Sequence, residues 1–332
     1  MKQNQRKSPL AGPVVDGVSV SPVSTGDTNT IRKHRAASWK RRNELAGYLF
    51  MLPAALFVSV FYLYPIVNNV VMSFQRYTAK SFVTGEAPFI GLGNFERLFG
   101  SSDFKVALLN TVVFTVGSLF FQFTIGLAIA VFFDQKFRLN GILRSLFLLP
   151  WLAPILVSGA IWVRLFDMDY GLINYFLRSL SLISEPLAWL TNPRLAPYST
   201  LIANIWIGIP FNVVILYGGL QEISPTLYEA AKIDGASGWQ RFRYISWPLL
   251  RPVSTVVLLL GLIYTLKSFD VIMSITRGGP ANVSQTLNTW VYSLSFTRLD
   301  FGLGAAAGDL LMAVVLIFGL IYLRYANQEE QR

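Results

Sequence analysis

The sequence predicts an all-α protein that crosses a membrane about six times. Of its 332 residues, 53% are hydrophobic and only 14% are charged, and the mean hydropathy is +0.48. A soluble domain carries about 25% charged residues, so this chain could not cover a globule of its size with a solvated surface. Long uncharged stretches recur along the sequence, and each provides the roughly 20 residues that a membrane-spanning helix needs.

Residues 1–44 differ in composition from everything that follows. The stretch 8–30 is rich in Ser, Pro, Gly and Thr without periodicity, which predicts a disordered cytoplasmic tail. No apolar segment precedes its basic block, so a cleavable signal peptide is not expected. Hydrophobic residues begin directly after Glu44, which favours a topogenic anchor over a merely solvated tail. The basic block contains Arg32, Lys33, Arg35, Lys40, Arg41 and Arg42.

The membrane domain is predicted to cover residues 45–325, followed by a cytoplasmic tail at 326–332. The stretches 45–75, 106–133, 145–163 and 195–221 contain no Asp, Glu, Lys or Arg, whereas Lys267 and Asp270 interrupt the fifth span and Asp309 the sixth. Prolines inside the spans are tolerated because packed neighbours can satisfy the freed carbonyls. The predicted spans are about 46–74, 106–133, 143–164, 198–220, 253–273 and 302–323.

The distribution of Lys and Arg predicts that both termini are cytoplasmic. With that orientation the inside segments hold about twice as many basic residues as the outside segments, as the positive-inside rule expects. Most of the net charge of +10 is therefore an orientation signal. A nucleic-acid partner is not expected, because a basic face with exposed aromatic residues or a recognition motif is missing.

Catalytic and metal sites are poorly supported by the composition. The chain has no cysteine and a single histidine, His34, which leaves almost no ligands for zinc and no thiol nucleophile. No lysine follows a glycine, so a GxxxxGK[ST] phosphate loop is absent from the sequence. If ATP drives this protein, another polypeptide must hydrolyse it.

The segment 221–252 is predicted to form two short capped helices between the fourth and fifth spans. Ser224 and Pro225 have the N-cap and first-turn positions of a helix that Gly235 ends. Ser237 and Gln240 have capping-box spacing and begin a second helix. Pro248 is expected to end that helix and lead into the fifth span.

An ordered pair of helices with exposed apolar residues needs a partner. Docking into a groove of another protein is the mode that fits. The alternative is an amphipathic helix resting on lipid headgroups. Arg241, Arg243 and Arg251 suit the lipid surface, whereas the acidic stretch 229–234 would be repelled by anionic headgroups.

The residues of this segment closely resemble the EAA loop of binding-protein-dependent ABC transporter permeases. The matching run is Glu229-Ala230-Ala231-Lys232-Ile233-Asp234-Gly235-Ala236, followed by Ile245 and Pro248. Trp247 stands where the family usually has a leucine, and it keeps the bulk and apolarity of that position.

Further motifs match the same family over roughly residues 45–325. The resemblance is closest to carbohydrate-type permeases, on the maltose-like first-subunit side of the heterodimer. The motifs are the GLxNF segment Gly91–Phe95, the pattern of Arg144, Pro150-Trp151, Pro154 and Trp162, the GxxN turn Gly171–Asn174, Trp206 with Pro210-Phe211, and Gly278-Gly279-Pro280.

The resemblance implies a type I importer permease in a bacterial cytoplasmic membrane. Residues 224–247 would be the coupling helices in a cleft of the ATPase. Glu229 would contact that subunit, and Gly235 would permit the sharp turn. The full coupling set carried over is Glu229, Ala230, Ala231, Asp234, Gly235, Ile245 and Pro248.

The same resemblance implies several partners. They are a second permease subunit, two ATP-binding-cassette subunits that carry ATP and Mg²⁺, an extracytoplasmic binding protein and a carbohydrate solute. This chain itself is expected to bind no cofactor.

Three charges lie within the predicted spans. Lys267 and Asp270 are three residues apart, so they would share a helix face. We expect Lys267 to pair with Asp309 or Asp270 near the outer gate, because charges at such depth usually face a cavity or each other. The alternative is that the spans are shorter and these charges lie among headgroups.

The solute path is predicted from residues that can bind sugars through aromatic faces, amides and hydroxyl groups. The same residue types also pack helices together, so packing is the alternative for each of them. The candidates are Gln122, Asn204, Trp206, Asn212, Tyr217 and Tyr264.

The competing function is a secondary transporter driven by an ion gradient. It would use Lys267, Asp270 and Asp309 as a relay and would typically show inverted repeats with broken helices. No clear internal repeat is visible in the sequence. A membrane enzyme is a third class, which the lack of a nucleophile and base at suitable spacing argues against.

Overall fold

The computed structural model describes residues 47–135 and 137–329. The predicted tail 1–44 therefore lies outside the described residues, as do residues 330–332 of the second tail. The described part is helical apart from two isolated bridges, which confirms the all-α prediction. The helices are α1 Gly47–Ser73, α2 Ala79–Thr84, α3 Gly93–Gly100, α4 Ser102–Asp134, α5 Asn140–Leu152, α6 Ile155–Leu165, α7 Leu172–Ser179, α8 Ala196–Gln221, α9 Pro225–Ile233, α10 Gly238–Leu266, α11 Asp270–Ile275, α12 Leu287–Tyr292 and α13 Phe301–Glu329.

The chain divides after Pro65 into two compact units. The described part of the first unit, residues 47–65, is helical and contains a π-helical turn at Ser59–Leu63. The rings of Phe57 and Phe61 lie 4.8 Å apart within it. The second unit begins at Ile66, and the candidate site described below belongs to it.

By length and composition, five helices of the described part could cross a membrane, and a bent pair makes a sixth if its two limbs count as one span. The bent pair is α5 and α6, which meet at 95°. The predicted span 143–164 falls on this pair, which is not one straight helix. Pro154 has no backbone N–H, and the extended backbone of Ala153 (ψ 138°) follows the restriction on residues before proline.

The fifth span begins and ends earlier than the predicted 253–273. It is the continuous helix α10, with a π-helical turn at Phe242–Ser246. Pro248 was expected to end a short helix, but it lies in the first turn of the regular α-helix after the π-turn. Proline is tolerated at this position because the π-turn has already changed the hydrogen-bonding pattern of the preceding carbonyls.

Helices α4 and α8 run parallel in close contact along glycines. A Cβ on Gly126 would lie 2.6 Å from Asn212, and one on Gly117 would lie 3.0 Å from Leu201. Small residues of this kind let membrane helices approach closely. At their ends Gln221 donates a hydrogen bond of 2.6 Å to Asp134. The segments 137–139 and 222–237 therefore share one end of the bundle, called the loop end below.

The opposite end is tied together by short loops. Buried Asn94 donates hydrogen bonds to the carbonyls of Ser73 (2.9 Å) and Gln75 (2.8 Å), which fixes the chain between α1 and α3. Two ion pairs of 2.7 Å, each with partly exposed side chains, join this end to residues near α13. These pairs are Arg97–Asp300 and Arg298–Asp103.

Candidate functional site

The reversal after α9 is a complete Schellman motif centred on Gly235. This glycine has φ +78°, a left-handed conformation that other residues rarely adopt. The N–H of Ala236 donates to the carbonyl of Ala231 (2.8 Å), and the N–H of Gly235 donates to Lys232 (3.2 Å). These two bonds satisfy the last carbonyls of α9 and fix the direction in which the chain leaves it.

The start of α10 has the capping box that the sequence predicts. The N–H of Ser237 donates to Gln240 Oε1 (2.7 Å), and the N–H of Gln240 donates to Ser237 Oγ (3.3 Å). The start of α9 differs from prediction, because Ser224 makes no side-chain cap bond. Its hydroxyl lies 2.8 Å from that of Thr226, while the N–H of Leu227 donates to the Ser224 backbone carbonyl.

One face of the segment 224–247 is anchored to the bundle. The hydroxyls of Tyr228 and Ser246 are 2.9 Å apart, which joins the two limbs of the reversal. Tyr228 and Ile245 also pack onto a buried cluster at the loop end. The cluster contains Ala130, Leu216, Leu220, Ile223, Leu250 and Val257.

The other face is open and apolar with acidic groups. Glu229 and Asp234 are exposed, and within the described residues neither carboxylate has a hydrogen bond or an ion pair. Ala230 and Gly235 are also exposed, whereas the predicted Ala231, Ile245 and Pro248 are half-buried beneath them. Four large apolar side chains are exposed along the segment, namely Leu227 (45%), Ile233 (88%), Trp239 (71%) and Tyr244 (74%).

A cavity of about 490 Å³ lies between α4, α5, α8, α10 and α11. Of the predicted solute residues, Gln122, Asn204 and Tyr264 line it. Gln122 Nε2 donates to the backbone carbonyl of Asn204, and Asn204 Nδ2 donates to Ser118 Oγ, both at 2.8 Å. No donor in the described part of the chain reaches the side-chain oxygens of these two amides, so both can accept hydrogen bonds from a ligand.

The other three predicted solute residues lie outside the cavity lining. Trp206 packs edge-on against Trp162 with ring centroids 5.8 Å apart. Asn212 is buried and donates to the carbonyl of Gly208 (2.9 Å). The ring of Tyr217 lies under the guanidinium of Arg144. All three side chains therefore serve helix packing, which is the alternative given above for each predicted solute residue.

Aromatic residues in the lining were missed by the sequence reasoning. Trp151, Phe211 and Phe269 all face the cavity. Trp151 and Phe211 each directly follow a proline within a predicted span, and this shared position could have identified them as lining residues. Phe269 lies in the break between α10 and α11, which the sequence did not predict.

The three intramembrane charges do not form one cluster. Helix α10 ends at Leu266, so Lys267 and Asp270 do not share a helix face, although both line the cavity. Asp309 instead accepts a hydrogen bond of 2.6 Å from Asn69. Between described residues, ion pairs within 4.0 Å occur only at the opposite end, so the expected pairing of Lys267 is not formed in this structure.

Comparisons with known proteins agree with this geometry. The model of the family described as binding-protein-dependent transport system inner membrane component matches residues 122–329. The chain belongs to this family. It is 35% identical over 285 residues to the trehalose/maltose transport system permease protein MalF of Thermococcus litoralis, covering 86% of this chain and 95% of that protein. It is 33% identical to the lactose transport system permease protein LacF of Rhizobium radiobacter, covering 89% and 98%.

The fold is also shared with a solved structure. A chain of a bacterial ABC transporter involved in the import of the acidic polysaccharide alginate matches with a TM-score of 0.75 at 23% identity, covering 88% of this chain and 99% of that one. The resemblance read from the motifs and the predicted membrane fold are thus confirmed. The protein is a multi-pass inner-membrane component of a transport system. The secondary-transporter alternative is not favoured, and its relay is not assembled in the described residues.

Because Gly235 has a left-handed conformation in the Schellman motif, its replacement is predicted to lower the local stability of the segment. Gly235→Ala places a Cβ in a left-handed conformation and is expected to destabilise the segment locally by about 1–2 kcal/mol. Amide hydrogen exchange over residues 225–246 would accelerate roughly 5- to 30-fold as a result. Gly235→Asn should have a smaller effect, since Asn tolerates this conformation better.

Gly238→Ala is the matched control for this exchange measurement. It lies three residues away, without a positive φ and with its closest neighbouring side-chain atom at 4.0 Å. Equal exchange rates in the two alanine variants would contradict the assigned role of Gly235.

Proposed function

We propose that this chain is a membrane-spanning permease subunit of an ATP-driven, binding-protein-dependent importer of a sugar or oligosaccharide. The observation that carries the proposal is the segment 224–247, which is anchored on one face and open, apolar and acidic on the other. The family membership supports it. The relatives named for trehalose/maltose and lactose transport, and the alginate importer, support a carbohydrate as the solute.

In this proposal the open face docks into a cleft of an ATP-binding-cassette subunit. Glu229 contacts that subunit, and the exposed Ile233 and Trp239 fill apolar positions in the cleft. ATP and Mg²⁺ bind to the partner, since this sequence has no phosphate loop. Movement of the cleft reaches the bundle through Tyr228 and Ile245, which pack onto the buried cluster. The cavity then opens alternately to the two sides of the membrane.

The cavity supplies the solute path in this chain. Trp151, Phe211 and Tyr264 present aromatic faces, and the amide oxygens of Gln122 and Asn204 accept hydrogen bonds from sugar hydroxyls. Lys267 and Asp270 add one charge of each sign at the wall. A cavity of about 490 Å³ is within the usual range for small-molecule sites.

The assembly completes this site and gives it direction. A second permease subunit forms the other half of the pore, two ATP-binding-cassette subunits occupy the loop end, and an extracytoplasmic binding protein delivers solute at the opposite end. The loop end and both termini are cytoplasmic in a bacterial inner membrane, as the positive-inside rule predicts. Lipid surrounds the remaining apolar surface.

The docking proposal is tested by reversing the charge of Glu229. Glu229→Lys is expected to weaken co-purification of the co-expressed cognate ATPase at least about tenfold. The substitution reverses the charge of a side chain that the proposal places in a desolvated contact with the ATPase. Glu222→Lys is the matched control, since Glu222 is equally acidic and exposed at the loop end but lies before α9. Equal loss in both variants, or retention in both, would argue against the assigned docking face.

The orientation is tested with single cysteines, since the native chain has none. Lys232→Cys and Glu86→Cys replace exposed residues at the loop end and in the loop before α3. A membrane-impermeant maleimide should label position 86 in right-side-out vesicles and position 232 only in inverted vesicles. The reverse pattern would place the segment 224–247 outside the cell and remove the proposal.

The cavity is tested through Gly208, which lies behind Gln122. A Cβ at Gly208 would lie 2.3 Å from Gln122 Nε2, so Gly208→Ala must displace that amide from its bond to Asn204. We expect uptake of the sugar that the cognate binding protein binds to fall about fivefold, as for loss of one hydrogen bond worth about 1 kcal/mol. Gly218→Ala, on the same helix with no atom within 4 Å of the new methyl, should leave uptake unchanged.

A further inference from the structure

Helix α5, the first limb of the bent third span, has few attachments to the rest of the bundle. None of its residues in Asn140–Phe147 or Leu149–Leu152 is buried. At its start Asn140 donates to the carbonyls of Phe133 (2.6 Å) and Gln135 (2.7 Å). A largely exposed helix depends for its position on specific side-chain contacts, and one of these joins the ring of Phe147 to that of Phe133 on α4, 6.0 Å away.

Arg144 makes such a contact in the middle of this helix. Its guanidinium carbon lies 4.7 Å from the centroid of the Tyr217 ring on α8. Both side chains are half-buried, and in the described part of the chain Arg144 has no carboxylate partner within 4.0 Å. A cation over an aromatic face is held more strongly when it is partly withdrawn from water.

Tyr217 in turn belongs to the packing that anchors the segment 224–247. It lies against the same buried cluster as Tyr228 and Ile245, the two side chains by which that segment is attached. Tyr217 and the two anchoring side chains therefore share one set of buried packing neighbours.

The other end of α5 forms part of the cavity wall. Trp151 lies seven residues after Arg144, past a turn at Leu148 that separates Asn140–Phe147 from Leu149–Leu152. Its ring lies 6.2 Å from that of Phe211 on α8, and Phe211 lies 6.0 Å from Tyr264. All three aromatic residues line the cavity. Arg144 and Trp151 thus contact α8 at two points, one near the loop end and one at the cavity.

We propose that Arg144 is a positioning residue that couples the segment 224–247 to the cavity. Through Tyr217 it makes α5 follow the cluster beneath that segment, so that Trp151 moves at the cavity wall when the segment moves. The contact adds nothing to ATP hydrolysis, which occurs on another chain. The inference rests on the proposed function and names the contact that transmits the motion.

The experiment measures solute uptake and ATP hydrolysis together in the complete transporter in proteoliposomes, with the binding protein and its bound sugar present. Arg144→Met and Tyr217→Leu remove the cation and the ring face in turn. Each is expected to lower the solute transported per ATP hydrolysed at least about threefold, as for loss of one partly desolvated cation–π contact. The double variant should be no worse than either single variant, because both remove the same interaction.

Two further variants separate positioning from a structural or topological role. Tyr217→Phe keeps the ring face and should retain the native ratio of transport to hydrolysis. Arg138→Met removes an exposed positive charge from the same end of the bundle and should also retain it. If Arg144→Met does not assemble, the comparison of Tyr217→Leu with Tyr217→Phe decides the question.

Several results would overturn the inference. Uptake and hydrolysis falling in proportion in Arg144→Met would show a merely structural role, and so would a Tyr217→Phe variant as impaired as Tyr217→Leu. Additive losses in the double variant would separate the two side chains. These results would leave the proposed function intact. A native complex whose uptake did not depend on ATP would instead remove the proposed function itself.

Discussion

The close parallel contact between α4 and α8 holds both candidate sites in place. Glycines at the contact have no side chains to hold the two helices apart, so the helices lie too close to leave free space for an added Cβ. Midway along, the same two helices present Gln122 and Asn204 to the cavity. At the loop end they supply Ala130, Leu216 and Leu220 to the cluster beneath the segment 224–247. One closely packed helix pair therefore connects the proposed docking surface with a polar cavity.

The segment 224–247 combines local rigidity with an unsatisfied outer face. Its hydrogen bonds are internal: the Schellman bonds, the capping box and the Tyr228–Ser246 contact leave little freedom in the reversal itself. Its large apolar side chains are nevertheless exposed. An element of this kind transmits force as a unit, because its shape does not depend on the partner that binds it.

Much of the fold follows from the sequence, and the exceptions have identifiable causes. Charge-free stretches locate the spans. The helix end at Gly235 and the capping box at Ser237 were predicted correctly, because each depends only on neighbours within five residues. The 95° bend at Pro154 was missed because membrane helices often accommodate proline without breaking. Only three of the six predicted solute residues line the cavity. Whether Trp206 or Trp151 faces a cavity depends on which helices pack together, which composition does not determine. Asn69, the partner of Asp309, lies 240 residues away in the chain.

The bend in the third span also has a consequence for the surrounding lipid. Helix α6 has 11 residues, so its length is roughly 17 Å, and α5 is roughly 20 Å long. Neither limb alone matches the roughly 30 Å hydrocarbon thickness of a bilayer, and a right-angled pair cannot tilt to make up the difference as a straight rod does. A bilayer in contact with this corner would have to relieve the hydrophobic mismatch through its acyl chains, and their length would then be a physical variable acting on α5.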